Sequence, residues 1–205
     1  ADKARVVFHR PDARQNTFNL AGTQHLTVKG LEITGGSTAI RIYKQGSRMA
    51  KFVTLEALHV HHVGGPAVTC NHTGNLYEGM IFRRNHIHHT SGHGEAFYLG
   101  SNSTPDGKTQ TQFFHGIIDG NYLHDLNGPK VSQGDGIELK DGSWGNLVRD
   151  NVIHDVKHPG IIVYDADGKE PNVIEGNLIF NVADNGIQVA ADAIIRNNLI
   201  FNCKG

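Results

Sequence analysis

The stretch Asn151–Val156, NVIHDV, is one of five copies of the phrase Asn-x-(Ile/Leu)-(His/Phe); the others are NHIHHT from Asn85, NYLHDL from Asn121, NLIFNV from Asn177 and NLIFNC from Asn198. Echoes without the asparagine, LEIT from Leu31 and LHVHHV from Leu58, carry the series toward the N-terminus. The copies recur about 20 to 36 residues apart, and a fixed phrase at variable spacing marks a solenoid that takes up loop insertions while its coils stay stacked. Seven coils are expected.

A second apolar-alternating phrase precedes each asparagine phrase. It reads TAIRIY (Thr38 to Tyr43), AVTC (Ala67 to Cys70), EAFYL (Glu95 to Leu99), GIELK (Gly136 to Lys140), GIIVY (Gly160 to Tyr164) and GIQV (Gly186 to Val189). Period-two alternation points Ile40, Val68, Phe97, Ile137, Ile161 and Ile187 inward. A second strand (FVTLEA, EGMIFR, FFHGII, NLVR, NVIE) leads into the asparagine turn and a third leaves it, so each coil holds three short strands. These features resemble the right-handed parallel β-helix proteins of the pectate-lyase-like class, in which turn asparagines stack inside the coil. Such a stack is physically sound, because amides about 4.8 Å apart satisfy one another by repetition.

The 205 residues suit a single β-helix domain spanning 1–205, and 38% hydrophobic content supports a stacked core. No apolar stretch is long enough for a membrane span, so no membrane partner is expected. A net charge of −1 and a pI near 7.0 lack the basic field that a nucleic-acid partner requires. Cys70 and Cys203 fall about five coils apart, beyond disulfide reach. Ala1 runs almost directly into the strand-like VVF, and the chain stops after a third strand at Gly205. Without polar caps at either end, the chain is expected to be a segment of a longer protein or to have its ends covered by a partner.

Aligning the first strands gives two outward columns: Arg41, Thr69, Tyr98, Glu138, Ile162, Gln188, and beside it Tyr43, Asn71, Gly100, Lys140, Tyr164, Ala190. His72, Asp141 and Asp165 lie just beyond, and Glu95 and Asp135 just before. The longest insertions, Ser101 to Gln110, Asn127 to Gly134 and Gly142 to Trp144, flank the same strand and would wall a groove. Arg41, Asn71, His72, Tyr98 and Asp165 are therefore candidate substrate contacts. Trp144 offers either a face for a sugar ring or a hydrophobic cover for the coil edge. The bland reading of the cluster is an exposed surface on which Glu138 and Lys140 pair weakly with Asp165 or Asp141, worth about 0 to 1 kcal/mol.

The segment GDGIELKDGSWGNLVRDNVIHDV, from Gly134, is similar to the lyase coil of polysaccharide lyase family six, the alginate and dermatan lyases. That resemblance implies an acidic polysaccharide as partner, Lys140 as the base that removes the C5 proton of a uronic acid, and a calcium ion held by Glu95, Asp135 or Glu138. It also implies a secreted or periplasmic location. β-Elimination needs such a base together with a cation for the charge developing on the carboxylate. Where those lyases carry an arginine on the next strand, this chain has Tyr164, which could serve as acid or base. The paired-aspartate phrase of the inverting pectin hydrolases is missing.

Fourteen histidines are the other conspicuous feature. His61, His88, His124 and His154 share one outward column of the third strand, continued by Phe180 and Phe201, with His59 and His86 in the next column. They read either as a ladder of neutral stacked rings aided by Asp125 and Asp155 or as a transition-metal site. Leu178, Phe180, Leu199 and Phe201 should point outward as an apolar patch awaiting a missing segment or a partner. The leading expectation is a polysaccharide lyase. A non-catalytic structural or glycan-binding β-helix and a uronate C5-epimerase are the alternatives.

Overall fold

The structure is a computed structural model describing residues 6–108 and 110–205, so Ala1 and position 109 of the 101–110 insertion lie outside the described residues. Among those residues the chain is all-β, with 24 short strands and no helix. Three parallel sheets form the walls: eight strands in the third-strand sheet, seven in each of the other two. That is seven coils plus a leading strand, Val6–Arg10, which contains the expected VVF. A two-stranded addition, Leu76–Glu78 beside Gln112–Phe114, was not anticipated.

Stacking is in register. Ile33, Val60, Ile87, Leu123, Ile153 and Ile179 are successive Cα partners, and none exceeds 1% exposure. Each contributes roughly 1.5 to 3 kcal/mol by leaving water. The bend between second and third strands is made by one left-handed residue: Gly30, Ala57, Arg84, Gly120, Asp150, Gly176 and Asn197 have φ of 51 to 69°. Each immediately precedes the first residue of an asparagine phrase or of its echo.

Those asparagines form the expected ladder. Nδ2 of Asn85 donates to Oδ1 of Asn121 at 2.9 Å, and Asn121 to Asn151, Asn151 to Asn177 and Asn177 to Asn198 repeat the contact at the same distance. The same Oδ1 atoms also accept the backbone N–H of the asparagine one coil earlier. The remaining Nδ2 proton goes to a main-chain carbonyl, as from Asn151 to Ile118. Four donors and acceptors per rung are thereby satisfied without water. A second, shorter ladder lines the turn before the second strand, where Asn146 donates to Asn172 at 2.9 Å and accepts from the Gly116 N–H; Asn75, just before the added strand Leu76–Glu78, accepts from the Ala50 N–H.

The outer face of the third sheet carries the aromatic stack read from the sequence. His61, His88, His124, His154, Phe180 and Phe201 follow one another at 4.6 to 5.2 Å, with planes within 14° of parallel. Asp125 and Asp155 accept from Nδ1 of His124 and His154. Burial, and then the neighbouring imidazoles, hold the His88 pKa down at about 3. Leu199 and Phe201 are exposed on the last coil, whereas Leu178 and Phe180 are only half so. Both cysteines are free, and Cys70 is a core residue.

Replacing Asn151 by alanine removes the acceptor of two Asn121 donors, the side-chain donor to the Ile118 carbonyl and one of the two donors to Asn177 Oδ1. It is expected to cost on the order of 2 to 4 kcal/mol in urea unfolding, against less than about 0.5 kcal/mol for exposed Asn102→Ala. Equal midpoints for the two variants would contradict the ladder as a source of stability.

Candidate functional site

The first sheet brings its polar columns together as the alternation required. Arg41, Thr69, Tyr98, Glu138, Ile162 and Gln188 are successive Cα partners across six coils. Ile137 and Leu139 are fully buried inside, so Glu138 and Lys140 emerge on the opposite face, two residues apart.

This face corrects the exposed-surface reading. Glu138 is 1% and Lys140 5% exposed, and they pair with each other at 2.6 Å, not with Asp141 or Asp165. Asp141 instead accepts the Ser103 N–H, pinning the 101–110 insertion, and Asp165 accepts from the Asp167 N–H in its own turn. The Lys140 ammonium lies 4.2 Å from the Tyr164 ring centre and 5.2 Å from that of Tyr98. Gly100, with φ of 90°, leaves the space: a Cβ there would sit 3.0 Å from the Lys140 Cβ and 2.9 Å from Ser143 Oγ.

Burial disfavours the Lys140 ammonium, but the hydrogen bond and charge of Glu138 outweigh it and raise its pKa above the ordinary lysine value. At neutral pH Lys140 is therefore a cation. Burial raises the phenol pKa values of Tyr98 and Tyr164 as well, with the Lys140 charge opposing the shift, so both keep their protons.

Beside this pair lie two more buried acids, Glu95 at 0% and Asp135 at 3% exposure. One carboxylate oxygen from each of Glu95, Asp135 and Glu138 falls within 4.8 Å of the other two. Both oxygens of Glu95 and Oε2 of Glu138 lack hydrogen-bond partners. Three carboxylates face one ammonium away from water, with only the largely exposed His93 imidazole, 3.7 Å from Glu95, as a second cation when it is protonated. Desolvation therefore pushes Glu95 up to about 8 and Asp135 up to about 7. Orphaned, convergent carboxylate oxygens are a donor set suited to a hard divalent cation such as calcium.

Next to Tyr98 a polar groove of about 320 Å³ is lined by residues that include Arg41, Asn71, Tyr98, Thr69 and His93. Three expected substrate contacts thus share one cavity adjoining the buried pair. The others lie elsewhere. His72 stacks toward Tyr43 and its Nδ1 contacts the Thr73 carbonyl, and Asp165 is exposed in a turn. Trp144 stacks on Phe114 at 4.7 Å, with Lys169 over the ring and its N–H directed to Gln112. Those contacts are the ones a coil-edge cover makes.

A family profile described as the right handed beta helix region matches residues 82–205. The chain belongs to that family. No curated protein sequence matches it. Among solved structures, this β-helix is similar to the alginate lyase from Paenibacillus sp. str. FPU-7, with a TM-score of 0.65 and 17% identity over 97% of this chain and 78% of that one. It is also similar to the catalytic domain of a GH87 α-1,3-glucanase in complex with nigerose, with a TM-score of 0.51 and 14% identity over 89% of this chain and 36% of the other. At such identities the likeness is one of fold.

Sequence reading of this β-helix missed the burial of the Glu138–Lys140 pair and the part played by His93 and Thr69. Alternation does put Glu138 and Lys140 on one face. Their enclosure comes from Tyr98 and Tyr164, 42 residues before and 24 after Lys140 respectively, and only coil register brings these together.

The carboxylate cluster sets a pH dependence. In the unfolded chain Glu95 and Asp135 ionise near their ordinary values of 4.5 and 3.8, whereas the folded chain holds their protons to about 8 and about 7. Folding takes up protons, so stability in chelator is expected to fall as pH rises from about 4 to about 8. Calcium should restore the urea midpoint far more at the alkaline end than at the acid end, and Glu95→Gln should flatten the pH profile. A midpoint in chelator that does not fall over this range, or the same response to calcium at both ends, would contradict the cluster.

Proposed function

We propose that this β-helix is a carbohydrate-active protein that binds an acidic polysaccharide along its first sheet and cleaves it by β-elimination. One observation carries the reading: Lys140 is buried against Glu138 between two tyrosine rings, with the unsatisfied carboxylates on one side and the arginine-bearing groove on the other. The structural neighbours named for alginate lyase and α-1,3-glucanase support a polysaccharide as the ligand class.

In the reaction proposed, a base removes the proton at C5 of a uronic acid. The electron pair forms a C4–C5 double bond as the C4–O bond breaks, and the departing oxygen takes up a proton. Lys140, once deprotonated, is the base. Tyr164, which keeps its phenol proton at neutral pH, is the donor to the leaving oxygen. Glu138 fixes the Lys140 side chain, and Arg41 with Asn71 and Tyr98 holds a neighbouring sugar, the guanidinium facing its carboxylate. A calcium ion held by Glu95, Asp135 and Glu138 would supply charge neutralisation for the substrate carboxylate. A protein acting on such polymers would work outside the cytoplasm, in the medium or periplasm.

Alginate, pectate and glycosaminoglycans are the substrates to offer, with product followed by the ultraviolet absorbance of its double bond. Because Glu138 raises the Lys140 pKa, turnover is expected to climb toward alkaline pH. Lys140→Ala should lose about 10² to 10⁴-fold in kcat, and Tyr164→Phe should also lose kcat, while Arg41→Ala should raise KM. Activity of Lys140→Ala equal to the parent would refute the base. Binding without any new double bond would favour a glycan-binding module, and inverted C5 without cleavage an epimerase.

A further inference from the structure

The third sheet carries a second cluster of potential ligands on a different wall of the coil. Within each histidine column the rings lie nearly parallel, as His61 and His88 do at 7° and His59 and His86 at 12°. The diagonal pairs between columns behave differently. His59 and His88 are tilted by 35° and His86 and His124 by 30°, and in both pairs the ring edges turn toward each other. Nε2 of His59 stands 2.9 Å from Nε2 of His88, and Nε2 of His86 stands 2.8 Å from Nε2 of His124.

We propose that this face binds a first-row transition-metal ion of the nickel, copper and zinc group, with His59, His86 and His88 as ligands. Three arguments support the assignment. One nitrogen from each of these three rings lies within 4.8 Å of the other two, so small ring rotations bring all three to one ion. Next, the supporting groups match those that orient metal-binding imidazoles. Asp125 takes the Nδ1 proton of His124 at 2.8 Å, so the Nε2 of that ring, beside His86, carries a lone pair. Glu32 approaches Nδ1 of His59 at 3.7 Å and Nε2 of His61 at 3.2 Å. Glu32, His59 and His61 also form a second group of the same dimensions, sharing His59. Finally, the site is accessible, since the His59 side chain is 24% exposed.

The spacing ranks the ions. With metal–nitrogen bonds of about 2.0 to 2.1 Å, the Nε2 atoms of the ligands His59 and His88, 2.9 Å apart, subtend about 90° at the metal. That is the cis angle of square-planar or octahedral coordination, favoured by copper(II) and nickel(II), whereas tetrahedral zinc needs about 3.3 Å between ligands. In the metal-free chain one proton is shared across each close nitrogen pair. On binding it moves to the Nδ1 of its own ring, so the imidazoles remain neutral.

The test uses the whole chain stripped with chelator and then kept in excess calcium, so that the acidic cluster on the first sheet does not compete. Calorimetric titration with nickel chloride is expected to show saturable binding and a raised Tm. The copper(II) adduct should show nitrogen superhyperfine splitting in its electron paramagnetic resonance spectrum. His88→Gln and His86→Gln should each weaken nickel binding at least tenfold, while His25→Gln, remote from the cluster, should leave it unchanged. Absence of saturable binding, oxygen-only coordination of copper in the parent, or His88→Gln binding nickel as the parent does would overturn the proposal. The copper spectrum of the parent decides the matter even if a variant fails to fold.

Discussion

A buried amide that cannot reach water must find its partner inside the protein, and that constraint governs this structure. Each coil has to bend between its second and third strands, and the bend leaves main-chain groups pointing into the core. An asparagine at the bend accepts from the coil before it and donates to the coil after it, so a group that would be a liability once becomes self-satisfying when repeated. At the N-terminal end of the ladder, where Leu58 replaces the asparagine, its own N–H still finds Oδ1 of Asn85 at 3.1 Å. The inward aliphatic columns supply the burial, and the asparagines fix the register in which it occurs.

The candidate site lies where repetition stops solving that problem. Glu95, Asp135, Glu138 and Lys140 occupy neighbouring coils of the first sheet, yet they are chemically different and cannot satisfy one another as asparagines do. One ion pair is made, and at least three carboxylate oxygens are left without donors. Compare Glu56 on the second sheet, which lies near the surface, covered and clamped by exposed Lys29 and half-exposed Arg83. The hydrogen bonds from those cations pull its pKa down to about 2, whereas desolvation pushes that of Glu95 up to about 8. The Glu56 arrangement is a structural charge ladder, while the cluster around Glu95 leaves carboxylate oxygens without donors.

The winding was legible in the sequence because its determinants are local and repeated: the Asn-x-(Ile/Leu) phrase, the period-two alternation and the residue before each turn. From these the columns of the first sheet followed residue by residue, including the convergence of Glu138, Lys140 and Tyr164. The enclosure of that trio was not legible, since it depends on aromatic rings from adjacent coils and on insertions pinned across coils, such as Val131 bridged to Gly92. The second asparagine ladder could have been found, because Asn146 and Asn172 each open a phrase of the form Asn-(Leu/Val)-(Val/Ile). The partners of Trp144 could not, because Gln112, Phe114 and Lys169 come from neighbouring turns that no local pattern connects to it.

If unsatisfied burial is what distinguishes this cluster from the rest of the solenoid, the ionisation of Glu95 reports it directly. Carbon-13 magnetic resonance of glutamate-labelled, calcium-free protein, with Glu95 assigned by its glutamine variant, should find its carboxyl titrating near pH 8. Titration near the ordinary 4.5 would mean that Glu95 is solvated or paired, and would contradict a cluster set apart by its unsatisfied carboxylates.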